Sequence, residues 1–336
     1  MTNNYSIKTA LTSAAAFLNT EEAALEAQLL LQHALNVNRA WLIAHEGDAL
    51  EANNHAVFEA LLKRRLDGEP IAYILGYREF YGLKLKVTAD TLIPRPDTEA
   101  LVEAVLSKIP PSTQHSPASG RGSVDALTKN PATSFRREQF AKLRTTESSY
   151  DKTNSDLCQN DMVWNEFTML DLGTGTGAIA LALAKHCPQA FVTATDASVS
   201  ALKIAEENAQ NLGITNIKFV QSDWFGALQN EKFDLIVSNP PYIAEGDVHL
   251  SQGDLRFEPM SALASGQDGL NDIKQIITQA PQHLNPHGCL LLEHGYNQAE
   301  SVSALLKNTG FSEIKTIKDL GGNDRVTLGF ISQRIV

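Results

Sequence analysis

The chain has 336 residues, 43% of them hydrophobic and 20% charged, which is typical of a globular protein with a buried core. Its net charge of −11 argues against capture of nucleic acid by a broadly basic surface, and no apolar stretch is long enough to predict a membrane span. Three scattered cysteines predict neither a disulfide framework nor a metal site, so we expect no metal and a cytoplasmic location.

The N-terminal quarter has the spacing of amphipathic helices. Leu25 and Leu29 recur at helical intervals after Thr20, which we interpret as a helix N-cap. A further helix is predicted to end near Gly68. This part of the chain is therefore predicted to form a small helical domain.

An extended segment follows the predicted helices. Aromatic and β-branched residues cluster around Gly82 and predict a β-hairpin. Two prolines then favour an extended path through residues 91–99, where Asp97 is predicted to cap the next helix. Arg95 in the same segment is either a surface residue or a residue near a ligand pocket.

Residues 111–163 lack apolar periodicity and are dominated by Ser, Thr, Asn, Gln and charged residues. A segment of this length without regular structure is usually disordered or carries an added function. Its local basic residues suit a solvated linker, and we interpret it as a flexible insertion.

A glycine-rich loop is predicted after the insertion. Residues 168–172 form an apolar run typical of a buried strand, and an alanine-rich helix is predicted from Ala178. Gly173, Gly175 and Gly177 lie between them, so the backbone can turn sharply and approach a ligand. The start of the helix adds unpaired N–H groups, and the pattern therefore predicts a cofactor loop.

The glycine pattern alone fits two kinds of cofactor. It satisfies the fingerprint of dinucleotide enzymes, with Asp196 at about the expected distance of 20 residues for a ribose-binding acid. Asp171 at the strand end would, however, repel a pyrophosphate, and Asn-Pro-Pro-Tyr at residues 239–242 closes a later strand. With these features the chain resembles the class I S-adenosylmethionine methyltransferases.

Strands and helices alternate from residue 167 onward, which predicts an α/β fold with a mostly parallel sheet covered on both faces. Polar residues fall at the strand ends, where ligands bind in such sheets. The predicted strands are residues 168–172, 191–195, 217–220, 233–238, 289–293, 314–317 and 325–330.

Two strand ends suit an adenosine. Asp196 can accept hydrogen bonds from both ribose hydroxyls, or it can cap the helix that begins after Ser198. After the third predicted strand, Asp223 could accept from the adenine amino group. Trp224 offers a flat face to the ring, with a place in the core as the alternative.

Residues Asn239, Pro240, Pro241 and Tyr242 carry the most specific chemical signal. An amide or aromatic amine is a weak nucleophile because its lone pair is delocalised. Oδ1 of Asn239 and the carbonyl of Pro240 can each accept one N–H, which aims the lone pair at an arriving methyl group. The prolines stiffen this edge, and Tyr242 would pack against the flat substrate group. The motif fits both protein-glutamine and nucleic-acid amine methyltransferases.

Five segments in combination resemble the release factor glutamine methyltransferases, the HemK-type family. These segments are residues 91–99, 170–177, 238–242, 256–259 and 292–295. The resemblance implies N5-methylation of the glutamine in the Gly-Gly-Gln motif of peptide-chain release factors, which modulates translation termination, with S-adenosyl-L-methionine as methyl donor.

The resemblance also implies roles for individual residues. Asn239, Pro240 and Tyr242 would be catalytic and, together with Pro241, would bind the glutamine. The cofactor would be held by Gly173, Thr174, Gly175, Thr176, Gly177, Asp196, Trp224 and Asn239.

The implied fold is a seven-stranded, Rossmann-like methyltransferase sheet with a small N-terminal helical domain. The predicted domains are a substrate-docking domain at residues 1–75, a hairpin linker at 76–96 and a methyltransferase domain at 97–336 that contains the insertion. We expect a monomer that acts on release factors without direct use of nucleic acid or membrane. The alternatives are a nucleic-acid amine methyltransferase and a non-catalytic, cofactor-sensing module.

Overall fold

The computed structural model describes residues 5–109 and 167–331, so the predicted insertion lies outside the described residues. Short helices precede the sheet and pack around Ile7, Leu30 and Phe58, which are all buried. Each such side chain contributes about 1.5–3 kcal/mol through its burial. The helices are α1 Ile7–Phe17, α2 Ala23–Leu35, α3 Arg39–Ala44, α4 Ala52–Leu66 and α5 Ile71–Leu75.

The predicted cap of the second helix is wrong. Helix α2 begins at Ala23 with Glu22 in the N-cap position, and no side-chain hydrogen bond caps it. Oγ1 of Thr20 is buried and has no hydrogen-bond partner within the described part of the chain. The polar sequence at this site indicated a helix start but not the residue at which the helix begins.

The predicted hairpin is present and consists of β1 Tyr77–Phe80 and β2 Leu83–Lys86. Tyr81 and Gly82 form its two-residue turn with φ of 50° and 73°, as the twist of a tight hairpin requires. Oδ1 of the buried Asn208 accepts from the backbone N–H of Lys86 at 2.7 Å. Its Nδ2 donates to the carbonyls of Lys86 and Thr176, so Asn208 ties the hairpin to the glycine loop.

Within the described residues, seven strands form one sheet in the order β5-β4-β3-β6-β7-β9-β8. The neighbours from β5 to β7 pair in parallel, and β9 is antiparallel to both of its neighbours. This confirms the predicted α/β class with a mostly parallel sheet. The strands are β3 Thr168–Leu172, β4 Phe191–Asp196, β5 Ile217–Gln221, β6 Phe233–Ser238, β7 Leu284–Glu293, β8 Phe311–Lys318 and β9 Asp324–Ile331.

Helices connect most of these strands. The helix that follows β3, Ala178–His186, is hydrophobic all round. Every residue from Ala178 to Ala184 is buried, as expected for a helix packed inside a domain. The helices are α6 Glu99–Lys108, α7 Ala178–His186, α8 Val199–Leu212, α9 Asn271–His283 and α10 Ala299–Asn308.

The strand order reverses at the centre of the sheet. From β3 the chain passes outward to β4 and β5, and it then returns to β6 on the other side of β3. Ligands bind at the carboxyl ends of parallel strands where the order reverses in this way. The ends of β3 and β6 are therefore the place in the fold where a site is expected.

Candidate active site

The loop after β3 has the backbone that its glycines allow. Gly173, Gly175 and Gly177 have φ of 71°, 55° and 82°, a region that residues with a Cβ atom rarely adopt. A Cβ atom on Gly177 would also lie 2.9 Å from Cδ1 of Leu181. The loop is held to the next strand by the N–H of Thr174, which donates to the Thr195 carbonyl at 2.8 Å.

Asp196 at the end of β4 binds this loop directly. Its carboxylate accepts from the backbone N–H groups of Gly175 and Ser198, each at 2.9 Å. Burial raises the pKa of Asp196, and these backbone donors lower it. The helix after β4 is capped by the hydroxyl of Ser198, so Asp196 is not the cap itself. The N–H of Ala197 lowers the pKa of the same carboxylate, and since two carboxylate oxygens together offer about four acceptor positions, capacity for a further hydrogen bond remains.

Asp171 lies in β3 beneath the loop and is fully buried. Its Oδ2 accepts from the Thr174 hydroxyl at 2.6 Å and from the N–H of Ala180 at 3.2 Å. Its Oδ1 has no hydrogen-bond partner among the described residues. Burial raises the pKa of Asp171 to about 7, although the two donors lower it. The loop thus covers a buried carboxylate with one unfilled acceptor.

Trp224 completes this side of the site. It follows β5 with φ of 46° and packs against the core of the sheet. A Cβ atom on Gly173 would lie 3.4 Å from Cζ3 of Trp224, so the indole ring lies beside the glycine loop. Asp223 next to it is exposed.

The Asn-Pro-Pro-Tyr segment follows β6 and lies next to the end of β3. Ser238 pairs with Leu172, and its hydroxyl donates to the Leu172 carbonyl at 2.7 Å. The residues after these two, Asn239 and Gly173, therefore begin at neighbouring strand ends, since paired strands lie about 4.8 Å apart. Nδ2 of Asn239 donates to Oγ1 of Thr98 at 3.1 Å. This donation leaves Oδ1 of Asn239 as the acceptor of its amide.

Glu293 at the end of β7 lies behind this segment and is fully buried. Its Oε1 accepts from the hydroxyl of Tyr242 at 3.3 Å. Its Oε2 has no hydrogen-bond partner among the described residues. Burial raises the pKa of Glu293 to about 7, whereas the hydroxyl of Thr98, the charge of Arg325 and the hydroxyl of Tyr242 lower it. Burial likewise raises the pKa of Tyr242.

The predicted cap at Asp97 is wrong. A 3-10 turn begins at Pro96 and leads into α6, so Asp97 lies inside the first turn rather than before it. Its Oδ2 lies 3.3 Å from Nη2 of Arg325, whose guanidinium also binds Asp319 at 3.0 Å. This half-exposed carboxylate is thus paired with a residue of β9, more than 200 positions away in the chain.

Two segments that the sequence showed separately meet in the structure. Glu258 is buried, and its Oε2 accepts from the N–H of Ile93 at 2.9 Å. Its Oε1 forms an ion pair with Arg95. The extended segment before α6 is thereby fixed to the loop after the Asn-Pro-Pro-Tyr motif.

Models of two domain families match the chain: the methyltransferase small domain over residues 149–255 and the PrmC N-terminal domain over residues 9–76. The release factor glutamine methyltransferase of Bordetella pertussis is 42% identical over 308 residues, which are 91% of this chain and 94% of that protein. The corresponding protein of Vibrio cholerae is 44% identical over 311 residues, or 92% of this chain and 90% of that protein. The chain belongs to the release factor glutamine methyltransferase family.

The structure brings the residues predicted for such a methyltransferase to one edge of the sheet. The glycine loop, Asp196 and Trp224 lie together at the ends of β3, β4 and β5, and the residues from Asn239 to Tyr242 begin at the adjoining end of β6. Their roles in binding and catalysis stay predictions. Among residues 5–109 and 167–331, no group of three His, Cys, Asp or Glu side chains could hold a metal ion.

Sequence reasoning missed the residues that support this edge. Thr98 and Glu293 belong to two of the quoted family segments, but no role was predicted for either. Only their place in those segments pointed to them. The contact between Thr98 and Asn239 could not be predicted from local patterns, because 141 positions separate the two residues. Asn208 gave no signal, since an asparagine within a helix is usually a surface residue.

Proposed function

We propose that this chain transfers a methyl group from S-adenosylmethionine to the side-chain nitrogen of the glutamine in the Gly-Gly-Gln motif of release factors. Membership of the release factor glutamine methyltransferase family supports this substrate. The geometry of Asn239 carries the proposal, because its Nδ2 is engaged by Thr98 and its Oδ1 is left to accept an N–H. A glutamine amide carries two N–H donors, and the Pro240 carbonyl would accept the other.

The loop residues fit the methyl donor. S-adenosylmethionine, when bound, supplies an electrophilic methyl group on a sulfonium. Asp196 has unused acceptor capacity for the ribose hydroxyls, and the unpartnered Oδ1 of Asp171 suits a cationic ammonium group. Trp224 would cover one face of the adenine, and the residues from Gly173 to Gly177 would allow close approach of the backbone.

The residues of the chain act by positioning. Asn239 and Pro240 would hold the two N–H groups so that the nitrogen lone pair points at the methyl carbon, and Tyr242 would pack against the amide plane. The new N–C bond would form as the S–C bond of the donor breaks, and one amide proton would leave to solvent. Because the sulfonium charge is lost in this step, no metal ion is needed to stabilise a developing negative charge.

Asn239→Ala tests this assignment. We expect the rate of methyl transfer to a release factor to fall by at least about 100-fold, as when one oriented hydrogen-bond partner of a transition state is removed. The affinity for S-adenosylmethionine, measured by calorimetry, should change much less. An equal loss of transfer and cofactor affinity would contradict the role of Asn239 in holding the substrate.

We place this reaction in the cytoplasm, since its proposed substrate acts in translation. No helix of the described residues could span a membrane. The monomeric state stays a prediction, which sedimentation of the purified chain would test.

A further inference from the structure

A buried polar cluster lies behind Asn239 and consists of Thr98, Glu293 and Tyr242. Thr98 and Glu293 are buried, with exposed fractions of 4% and 0%. Thr98 lies in the turn before α6, Glu293 ends β7, and Tyr242 follows β6. Because β6 and β7 pair at Ser238 and Leu292, Asn239 and Glu293 are the next residues on neighbouring strands. Thr98 contacts the amide of Asn239, and Tyr242 contacts Glu293, so three distant parts of the chain meet at the adjoining ends of β6 and β7.

The side-chain amide of Asn239 could present either its oxygen or its NH₂ group to a substrate. In one orientation its oxygen faces the glutamine, and in the other its NH₂ group does. The second orientation would place donors against the donors of the glutamine amide and could not hold it. A hydroxyl such as that of Thr98 cannot select between the two, because it can both donate and accept.

Glu293 can determine whether the Thr98 hydroxyl donates to Asn239 or accepts from it. Glu293 lies close enough to Thr98 for the Thr98 hydroxyl to lower the pKa of its carboxyl, and Oε2 of this buried carboxyl has no hydrogen-bond partner among the described residues. An ionised carboxylate only accepts hydrogen bonds, so Oε2 is the acceptor toward which the Thr98 hydroxyl would donate. The Thr98 oxygen is then left to accept from Nδ2 of Asn239, as the 3.1 Å contact shows. Tyr242 donates to the same carboxylate at 3.3 Å. We propose that Glu293 and Thr98 are positioning residues that fix Oδ1 of Asn239 toward the substrate, an inference that rests on the proposed function for its consequence in catalysis.

Protonation of Glu293 would remove this direction, since a carboxylic acid can itself donate to Thr98. The groups that face Glu293 are Tyr242 from the loop after β6, Asp97 and Thr98 from the turn before α6, and Arg325 from β9. The pKa of Glu293 is about 7, so the cluster should change state near neutral pH. Asp171 has a similar pKa but lies in β3 beneath the glycine loop, and its titration should persist when Glu293 is replaced.

The first experiment uses the full chain without substrate. NMR spectra of the ¹⁵N-asparagine-labelled protein would record the side-chain NH₂ signals of Asn239, identified by their absence in Asn239→Ala. We expect these signals to shift between roughly pH 6 and pH 8 in the wild type and to stay constant in Glu293→Gln. An equal shift in both proteins, or no shift in the wild type, would overturn the proposal.

The second experiment measures transfer to a release factor. Thr98→Val removes the hydroxyl at nearly constant volume, and kcat should fall by about tenfold or more, with a smaller change in KM. Thr98→Ser keeps the hydroxyl and should restore most of this loss. Thr193→Val makes the same change at a buried position of β4 outside the site and should leave kcat unaltered.

The outcomes separate the two proposals. Equal kcat values for Thr98→Val and Thr98→Ser would overturn the positioning role and leave the proposed function intact. A wild type that shows the pH-dependent Asn239 signals but never methylates a release factor would support the positioning role and overturn the proposed function.

Discussion

Asp171 is a single buried residue whose ionisation lowers the stability of the folded protein. The unfolded chain ionises this carboxyl at its ordinary pKa of 3.8, whereas the folded protein holds the proton until about pH 7. Between these values the folded state binds more protons than the unfolded state. The free energy of unfolding therefore falls as the pH rises from about 4 to about 7, and the loss persists above that range.

Asp171→Asn should remove this dependence, because the amide oxygen can still accept from Thr174 and Ala180 without a buried charge. At pH 8 we expect the cofactor-free variant to be more stable than the wild type by roughly 2 kcal/mol, and the difference should shrink at pH 5. Denaturant unfolding at both pH values measures it. A difference that does not depend on pH would show that ionisation of Asp171 is not its cause.

At the same scale, sequence reasoning succeeded where a residue acts through its own chain neighbours. The apolar strands that precede them predicted that Asp196 and Asn239 lie at strand ends on one edge of the sheet, which the structure confirms; their binding roles stay predictions. Sequence reasoning failed where a partner came from elsewhere, since Thr98 is fixed by Asn239 and Asp97 by Arg325. A side chain's hydrogen-bond partner depends on tertiary contacts that local patterns do not contain.

Among the elements, the loop between β3 and α7 is the one whose shape depends most on glycine. Gly177→Ala would combine a φ of 82° with a Cβ atom 2.9 Å from Leu181, so we expect a loss of about 2–3 kcal/mol in unfolding free energy. Gly213→Ala is the matched control, with a φ of 66° and open space around its Cβ position, and should cost about 1 kcal/mol. Equal losses would mean that backbone strain alone, and not the contact with Leu181, sets the cost.

The sequence located elements better than their ends. The strands predicted at residues 168–172 and 233–238 have the observed bounds, because both are apolar runs closed by glycine or proline. Strand β7, predicted from residue 289, begins at Leu284 instead and contains His287 with φ of 64°. His287 and Gly288 lie between two positions paired with β6, Leu284 with Phe233 and Cys289 with Leu235, and the register shifts between these two pairs. Such irregularities depend on the neighbouring strand.

In the molecule as a whole, Arg65 connects the helices of the N-terminal part to the loop after the Asn-Pro-Pro-Tyr motif. From α4 it binds Glu26 of α2 through two hydrogen bonds of 2.8 and 2.9 Å, and it binds Asp254 at 2.8 Å. Glu26 and Arg65 are largely buried, so water cannot solvate either charge if its partner is removed.

Arg65→Met should lower the unfolding free energy by about 3 kcal/mol, because it leaves the carboxylate of Glu26 buried without its partner. Lys63→Gln on the same helix breaks an exposed pair with Asp67 and should cost less than about 0.5 kcal/mol. Denaturant midpoints of both variants test the difference. Equal stability of the two variants would contradict a structural role for the Arg65 contacts.

Methylation of a release factor glutamine by this chain is tested most directly by mass spectrometry of the substrate. An unmodified release factor would be incubated with this protein and S-adenosylmethionine, beside a substrate whose Gly-Gly-Gln glutamine is replaced by alanine. We expect a single added methyl group, mapped to that glutamine and absent from the alanine substrate. An unchanged mass, with a protein shown to bind S-adenosylmethionine, or a methyl group on both substrates, would contradict the claim.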